Sequence, residues 1–297
     1  MRKANKDLIF TIIGTGKVGS ALCFELKAVG YNVKFLIDKD LKKLKNVASK
    51  SGIKNISTEI KKIFLINSDV IIISVQDKHL PEIINDLKNI NINLQNKIIV
   101  HTSGYFDSSL FKILNINIAR TGSFHPLQTF NRLSLSNNRL LRNIYFGIEG
   151  GIDAKKLMAI ICKKLNSKYL IISKKEKPLY HFACVFASNL LVTYLKTLSQ
   201  TASKLKIRPN KIIEVFYPII NETIENIRKH GFEKSLTGPF VRGDIEVIKG
   251  HIGTIKNDFP DTLTLYKLLG NKTMESSIVK NKLSATELRD IKKLLSD

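Results

Sequence analysis

Three polar clusters interrupt otherwise apolar stretches of this chain, and their residue types suit proton transfer to a small acid. His125 lies in Ser123-Phe124-His125-Pro126-Leu127-Gln128-Thr129. Histidine is the one side chain whose ordinary pKa suits proton transfer near neutrality. Glu149, at the end of a nearby apolar segment, can orient and charge that imidazole. The plain alternative is a histidine that only braces the chain before a proline. His181, Ser188 and Asn189 recur at spacings that return to one face of a helix two turns on. If buried there, they need hydrogen-bond partners, and either a substrate or the core can supply them. The third cluster is Thr237-Gly238-Pro239 with Arg242-Gly243-Asp244. Thr237 or Gly238 can cap a helix begun by Pro239. Arg242 can grip a carboxylate with two parallel bonds, or pair with Asp244 or a partner subunit.

A redox reaction at these groups requires a cofactor, and the opening of the chain carries the pattern for one. The apolar run at residues 8–13 leads into Gly14-Thr15-Gly16-Lys17-Val18-Gly19, and a helical stretch follows. A strand, G-x-G-x-x-G and a helix in that order form the dinucleotide-binding fingerprint. Gly14 makes the tight turn, Gly16 lets the backbone approach a pyrophosphate, and Gly19 lets helix and strand pack. The helix N-terminus then faces the phosphates. A glycine turn without a ligand is the alternative. Asp38 lies about twenty residues further on, where an acid accepts from a ribose hydroxyl and favours NAD. Lys39, Lys42 and Lys43 stand ready to pair a 2′-phosphate instead, so NADH and NADPH both remain open.

Alternating elements place these groups. Strands are expected at Asn32–Ile37, 68–75, 97–101, 116–120, 145–149 and 169–172, with helices at Leu41–Ser51, 80–87 and 153–165 between them. The pattern predicts a doubly wound parallel sheet of α/β class. Ligands bind beyond the carboxyl ends of such strands. Ser74-Val75-Gln76-Asp77, His101-Thr102-Ser103-Gly104 and the His125 segment are therefore expected to converge there, with Val75, Gln76 and Ser103 near the cofactor. Past residue 173 the strand signal ends. Helices are expected at 179–205, 212–228, 239–255, 262–269 and 285–295. This gives a dinucleotide-binding domain at 1–173 and an all-α domain at 174–297.

Composition narrows the function classes. The chain has 297 residues, 43% of them apolar, which is material for two domains. No apolar run approaches the length of a membrane span, and the first residues lack a signal peptide's apolar segment. Three cysteines without paired spacing argue against a disulfide framework and against zinc, and point to a reducing, cytoplasmic setting. The formal charge of +23 is spread along the chain as scattered lysines rather than as a nucleic-acid motif, and suits the steering of anionic substrates.

Taken in order, the fingerprint, His101-Thr102-Ser103-Gly104, residues 123–130, Phe146-Gly147-Ile148-Glu149-Gly150, residues 180–189 and residues 236–244 resemble the bacterial family that joins a Rossmann-like domain to a DUF2520 domain. The resemblance spans nearly the whole chain. It implies a branch of the 6-phosphogluconate dehydrogenase-like superfamily, whose members are typically dimers. It also implies an NAD(P)H-dependent reductase of a small anionic 2-oxo acid, with ketopantoate the best single substrate, reduced to pantoate in pantothenate synthesis. On this reading His125, His181 and Asn189 are catalytic, and Ser188, Ser103, Thr237 and Arg242 bind substrate. Gly14, Thr15, Gly16, Lys17, Val18, Gly19, Asp38 and Lys39 hold the cofactor together with Val75, Gln76 and Ser103. Many superfamily members carry a lysine one turn before the helix asparagine. If Asn189 is that asparagine, Val185 stands in the lysine's place and a histidine must donate the proton. His125-Pro126 is also similar to the His-Pro loop of prephenate dehydrogenases, which makes oxidation of a prephenate-like acid a second enzyme expectation. A nucleotide-binding redox sensor without turnover is the non-enzymatic one.

Overall fold

The computed structural model describes residues 7–130 and 139–296; the basic opening 1–6 lies outside them. The chain divides into two compact units, Met1–Ser188 and Asn189–Asp297. The last strand ends at Ile171, so the first unit also takes in the beginning of the helical region.

The first unit runs β1 (Ile9–Ile13), α1 (Lys17–Ala28), β2 (Asn32–Ile37), α2 (Leu41–Ser51), β3 (Asn55–Ser57), α3 (Lys62–Ile66), β4 (Val70–Ile73), α4 (Leu80–Asn89), β5 (Ile98–His101), β6 (Thr121–Pro126), β7 (Tyr145–Gly150), α5 (Ile152–Lys164), β8 (Lys168–Ile171) and α6 (Lys177–Val185). Among the described residues, eight strands form one sheet in the order β3-β2-β1-β4-β5-β6-β7-β8. All neighbours are parallel except β6 and β7. This is the doubly wound α/β fold expected from the alternating pattern, with one antiparallel step.

The fully buried β4 shows why its sequence is continuously apolar. Val70 and Ile72 pack into one core with Phe10, Leu22, Phe124 and Phe146, while Ile71 and Ile73 pack into the other with Phe35, Leu80 and Phe111. Successive strand side chains point to opposite faces, and here both faces are covered. Chain order reverses between β1 and β4, so a crevice opens beyond their carboxyl ends.

Local signals set the element ends. Asp40 caps α2 by accepting from the Lys43 N–H, and Gly52 closes it at φ 69°. Ser173 and Glu176 form a reciprocal capping box, so the helical region starts ahead of the expected residue 179 and Lys177 opens α6. The expected strand at 116–120 is a turn instead. The Asn117 side chain accepts from the Ala119 N–H and coils Ile118–Arg120 into a 3-10 turn, and β6 begins at Thr121. The His125 segment is therefore the end of β6 itself, not a loop beyond it.

The second unit is helical: α7 (Leu191–Thr201), α8 (Ile212–His230), α9 (Phe232–Ser235), α10 (Pro239–Arg242), α11 (Ile245–Asp258), α12 (Pro260–Met274), α13 (Ser277–Lys282) and α14 (Ala285–Ser296). Val241, Ile248, Met274, Val279, Ile291 and Leu295 form its core. One helix was expected over 239–255; Gly243, left-handed at φ 72°, ends α10 and α11 starts afresh. The expectation that nothing approaches a membrane span is also corrected. The helical run Lys174–Lys204, mean hydropathy 1.3 over its most apolar window, is long and apolar enough to cross a membrane by length and composition.

Candidate functional site

Each glycine of the opening turn has a distinct spatial reason. Gly14 has φ +94°, and a Cβ there would lie 2.3 Å from the Ser74 carbonyl oxygen. A Cβ on Gly19 would lie 1.9 Å from the Gly14 oxygen. Gly16 differs: its φ is −64°, and among the described residues nothing lies within 4 Å of where a Cβ would be. It is the N-cap of α1, no side chain caps that helix, and its first turn contains no acid. Open space above unpaired helix N–H groups is what a pyrophosphate requires, so the residues fit a dinucleotide.

Asp38 has a second job that its position alone did not reveal. Its Oδ2 accepts from the Thr15 N–H at 2.5 Å and from the Thr15 hydroxyl at 2.9 Å, and its Oδ1 accepts from the Asp40 N–H at 2.9 Å. The carboxylate thus braces the glycine turn from the end of β2. Lys43, which pairs with Asp40 at 2.9 Å, and Lys39 line the same cavity.

That cavity measures about 1200 Å³, above the roughly 300–1,000 Å³ common for small-molecule sites. Gly14, Thr15, Gly16, Lys17, Val18, Asp38, Lys39, Val75, Gln76 and Ser103 all line it, while Gly19 packs beneath the turn. Gly104, His125 and His181 line it too. The two imidazoles stand 6.5 Å apart between ring centroids. Gly104 separates them, and a Cβ there would come within 3.0 Å of His125 Nε2 and 2.8 Å of His181 Cδ2.

Beneath this wall lies a residue whose role was not apparent in the sequence. Lys177, only 1% exposed, donates from Nζ to the Ser103 carbonyl at 2.8 Å and to the Ser123 hydroxyl at 3.0 Å. Burial lowers its pKa from 10.5 to about 8, against the opposing pull of Glu149, Asp77 and Asp107. Its charge works on its neighbours in turn. His125 is lowered from 6.5 to about 4, by burial first and then by Lys177 and His181. His101, fully buried, is lowered to about 3 by burial and Lys177. His101 takes the Ser103 N–H on Nδ1, which fixes the loop that carries Ser103 and Gly104.

The expected pairing of Glu149 with His125 is not formed. Across the β6–β7 ladder His125 faces Gly147, and Glu149 faces Ser123. The Glu149 carboxylate instead accepts from the Ser108 N–H and hydroxyl, both at 2.8 Å. The partner of His125 Nδ1 is the Tyr180 hydroxyl, at 2.8 Å.

Ser188 is half-buried and is not among the residues lining the cavity. Ser188 and Asn189 sit inside a π turn, Phe186–Leu190, which interrupts the regular repeat on which their shared face with His181 rested. Asn189 belongs to the second unit and is exposed. Thr237 is also exposed; Gly238, not Thr237, is the N-cap before Pro239. Arg242 is paired with Asp244, at 2.8 Å from Nε and 2.7 Å from a terminal nitrogen.

A glycine turn at the switch point of a doubly wound sheet, opening on a cavity with two imidazoles, defines a dinucleotide-dependent oxidoreductase. Residues 9–105 match the model of the family described as NADP oxidoreductase coenzyme F420-dependent, and residues 144–273 match that of a domain of unknown function, DUF2520. The chain thus carries the Rossmann-plus-DUF2520 architecture; it is an NAD(P)-dependent oxidoreductase whose cofactor is NADPH or NADH. No curated protein matches it in sequence. Among solved structures it is similar to a Bacteroides fragilis protein described as an NADP oxidoreductase (20% identity, TM-score 0.71, 91% of this chain and 98% of that one). A Thermotoga maritima protein is 23% identical, with TM-score 0.67 over 97% of this chain and all of its own. An imine reductase of a Pseudomonas species is 13% identical, with TM-score 0.62 over 96% and 99%. These likenesses establish the fold.

Proposed function

We propose that this protein reduces a small 2-oxo acid to its 2-hydroxy acid, with ketopantoate as the substrate and NADPH or NADH as the reductant. The observation that carries this reading is the convergence of His125, His181 and Ser103 on the cavity of the glycine turn, with the Lys177 ammonium buried behind them. Residues 14–18, Asp38, Lys39, Val75 and Gln76 would hold the cofactor, which when bound would supply the hydride. The protein must bind the acid, polarise its carbonyl and protect the site from water. A buried cation beneath Ser103 raises the local positive potential, which favours an anionic substrate and the negative charge that develops on its oxygen. His125, lowered to about 4, is neutral at pH 7 and serves as a hydrogen-bond donor rather than as an imidazolium. His181 stands across Gly104 to hold or deliver the proton. Substrate contacts by Ser188, Asn189, Thr237 and Arg242, the roles implied by the family resemblance, remain part of the proposal.

We also propose a cytoplasmic homodimer. In the first unit Leu170, Ile171, Leu179, Phe182 and Phe186 are all more than 40% exposed, and in the second so are Val215, Tyr217 and Ile219. Large apolar side chains left exposed in each unit support an interaction face. Sedimentation equilibrium is expected to give twice the chain mass; a single chain mass at micromolar concentration refutes the dimer.

The purified protein, given NADPH or NADH and a panel of 2-oxo acids, is expected to consume the reduced nicotinamide fastest with ketopantoate, as followed by absorbance. Turnover of a cyclic imine but of no oxo acid would replace the substrate class. Oxidation of a prephenate-like acid with NAD⁺ would reverse the direction. Cofactor binding without any turnover would make the protein a sensor.

A further inference from the structure

The Tyr180 hydroxyl has three neighbours. It lies 2.8 Å from His125 Nδ1, beside the Cys184 thiol and against Gly147. The approach to Gly147 depends on the missing side chain: a Cβ there would stand 2.3 Å from the tyrosine oxygen. Gly147 is also the residue directly opposite His125 across the β6–β7 ladder, so Tyr180 spans both partners of one cross-strand pair. A phenol has a single proton to give. A thiol sulfur is a weak acceptor compared with an imidazole nitrogen. The phenolic proton therefore goes to His125 Nδ1, and the imidazole's own proton must sit on Nε2. Nε2 is the nitrogen that borders Gly104 and faces His181 at the cavity wall.

We propose that Tyr180, seated against Gly147, fixes His125 as the Nε2–H tautomer and so presents a neutral N–H donor to the substrate carbonyl. This rests on the reductase reading above for its use, but not for its geometry. Tyr180 is a positioning residue: it acts through His125. The groups that face His125 are Tyr180, His181 and the Lys177 ammonium, and the two cationic or cationisable neighbours both oppose a second proton on its ring. Burial pushes the Tyr180 phenol well above its ordinary range, so it keeps its proton and pins Nδ1 as an acceptor. His125 accordingly lends a hydrogen bond to the oxygen and does not surrender its proton.

The test is ¹⁵N-histidine NMR on the full-length protein, with the His125 ring assigned by its loss in His125→Gln. One ring with a protonated Nε2 and a bare Nδ1 is expected from pH 8 down to about pH 5. In Tyr180→Phe both tautomers are expected, with kcat down about tenfold to a hundredfold, as for partners that orient metal-bound histidines, and with KM and cofactor affinity little changed. Gly147→Ala, which displaces the hydroxyl, is expected to release the tautomer in the same way. An Nδ1–H ring in the native protein overturns the proposal, as does a tautomer that neither substitution alters. If Tyr180→Phe fails to fold, the native tautomer still decides. If no oxo acid turns over while the Nε2–H tautomer is present, the substrate reading falls and the tautomer assignment stands.

Discussion

Lys177→Met is expected to lower turnover about a hundredfold to a thousandfold while the melting temperature stays within a few degrees of the native value. The two halves of that expectation have separate causes. The bonds of the Lys177 ammonium, to the Ser103 carbonyl and the Ser123 hydroxyl, tie the cavity wall to β6 from within. Loss of one preorganised donor or charge in a water-poor site typically costs about 10²–10³ in rate. Stability follows different terms. A pKa lowered from 10.5 to about 8 sets roughly 3 kcal/mol against the charged form, at about 1.4 kcal/mol per pH unit. Methionine removes that cost but leaves two buried acceptors unpaired, at about 1–3 kcal/mol. The terms nearly cancel.

The pH dependence tests the same residue. Between pH 8 and 10.5 the native state binds fewer protons at Lys177 than the unfolded chain does, so its contribution to stability rises with pH across that window. Activity should move the opposite way, falling as the ammonium is lost above about pH 8. Urea midpoints and rates measured from pH 7 to 10 are expected to diverge in the native protein, and the stability slope should flatten in Lys177→Met. Unchanged turnover, or a turnover loss that merely tracks a collapsed melting temperature, would remove the electrostatic role.

Lys177 also marks where sequence reasoning failed. Lysine is the residue least expected in a core, and Lys174-Lys175-Glu176-Lys177-Pro178 looks like a solvated break. The available signal was Ser173 with Glu176, a capping box that starts the helix before the proline and turns Lys177 inward as its first residue. Glu149 failed for a different reason. Its strand was placed correctly, but strand periodicity does not give the register or the sense of the β6–β7 pair, and these set Gly147 opposite His125. Tyr180 escaped notice because its role depends on that same register. β3 spans three residues and α3 five, too short for periodicity to emerge. The long apolar strands and the glycine turn were legible because each is decided by local sterics and by burial on both faces. The doubly wound fold and the place of the cavity beyond the strand ends followed from those; the Asp38 brace on Thr15 did not. The placement of Asn189, Thr237 and Arg242 did not, because spacing along a helix is no measure of what a π turn or a second compact unit does.

Gly16→Ala separates the cofactor site from the fold that carries it. At Gly14 and Gly19 an added Cβ collides with backbone atoms, so loss of binding in either variant would be inseparable from damage to the turn. Gly16 has an extended backbone with negative φ (φ −64°, ψ −166°) and open space above it, so alanine is tolerated by the chain itself. Removing glycine's freedom in the unfolded state should even stabilise the protein slightly, by about 0.4–1 kcal/mol. The methyl group, however, projects into the cavity at the uncapped start of α1, where a pyrophosphate must approach the backbone. Nicotinamide fluorescence is expected to show affinity for NADPH and NADH reduced about tenfold to a hundredfold, a loss of roughly 1.4–2.7 kcal/mol, with the thermal transition unchanged or slightly raised. Native affinity in a correctly folded Gly16→Ala protein would mean that the dinucleotide does not lie over this turn, and the assignments of Thr15, Lys17 and Val18 would fall with it.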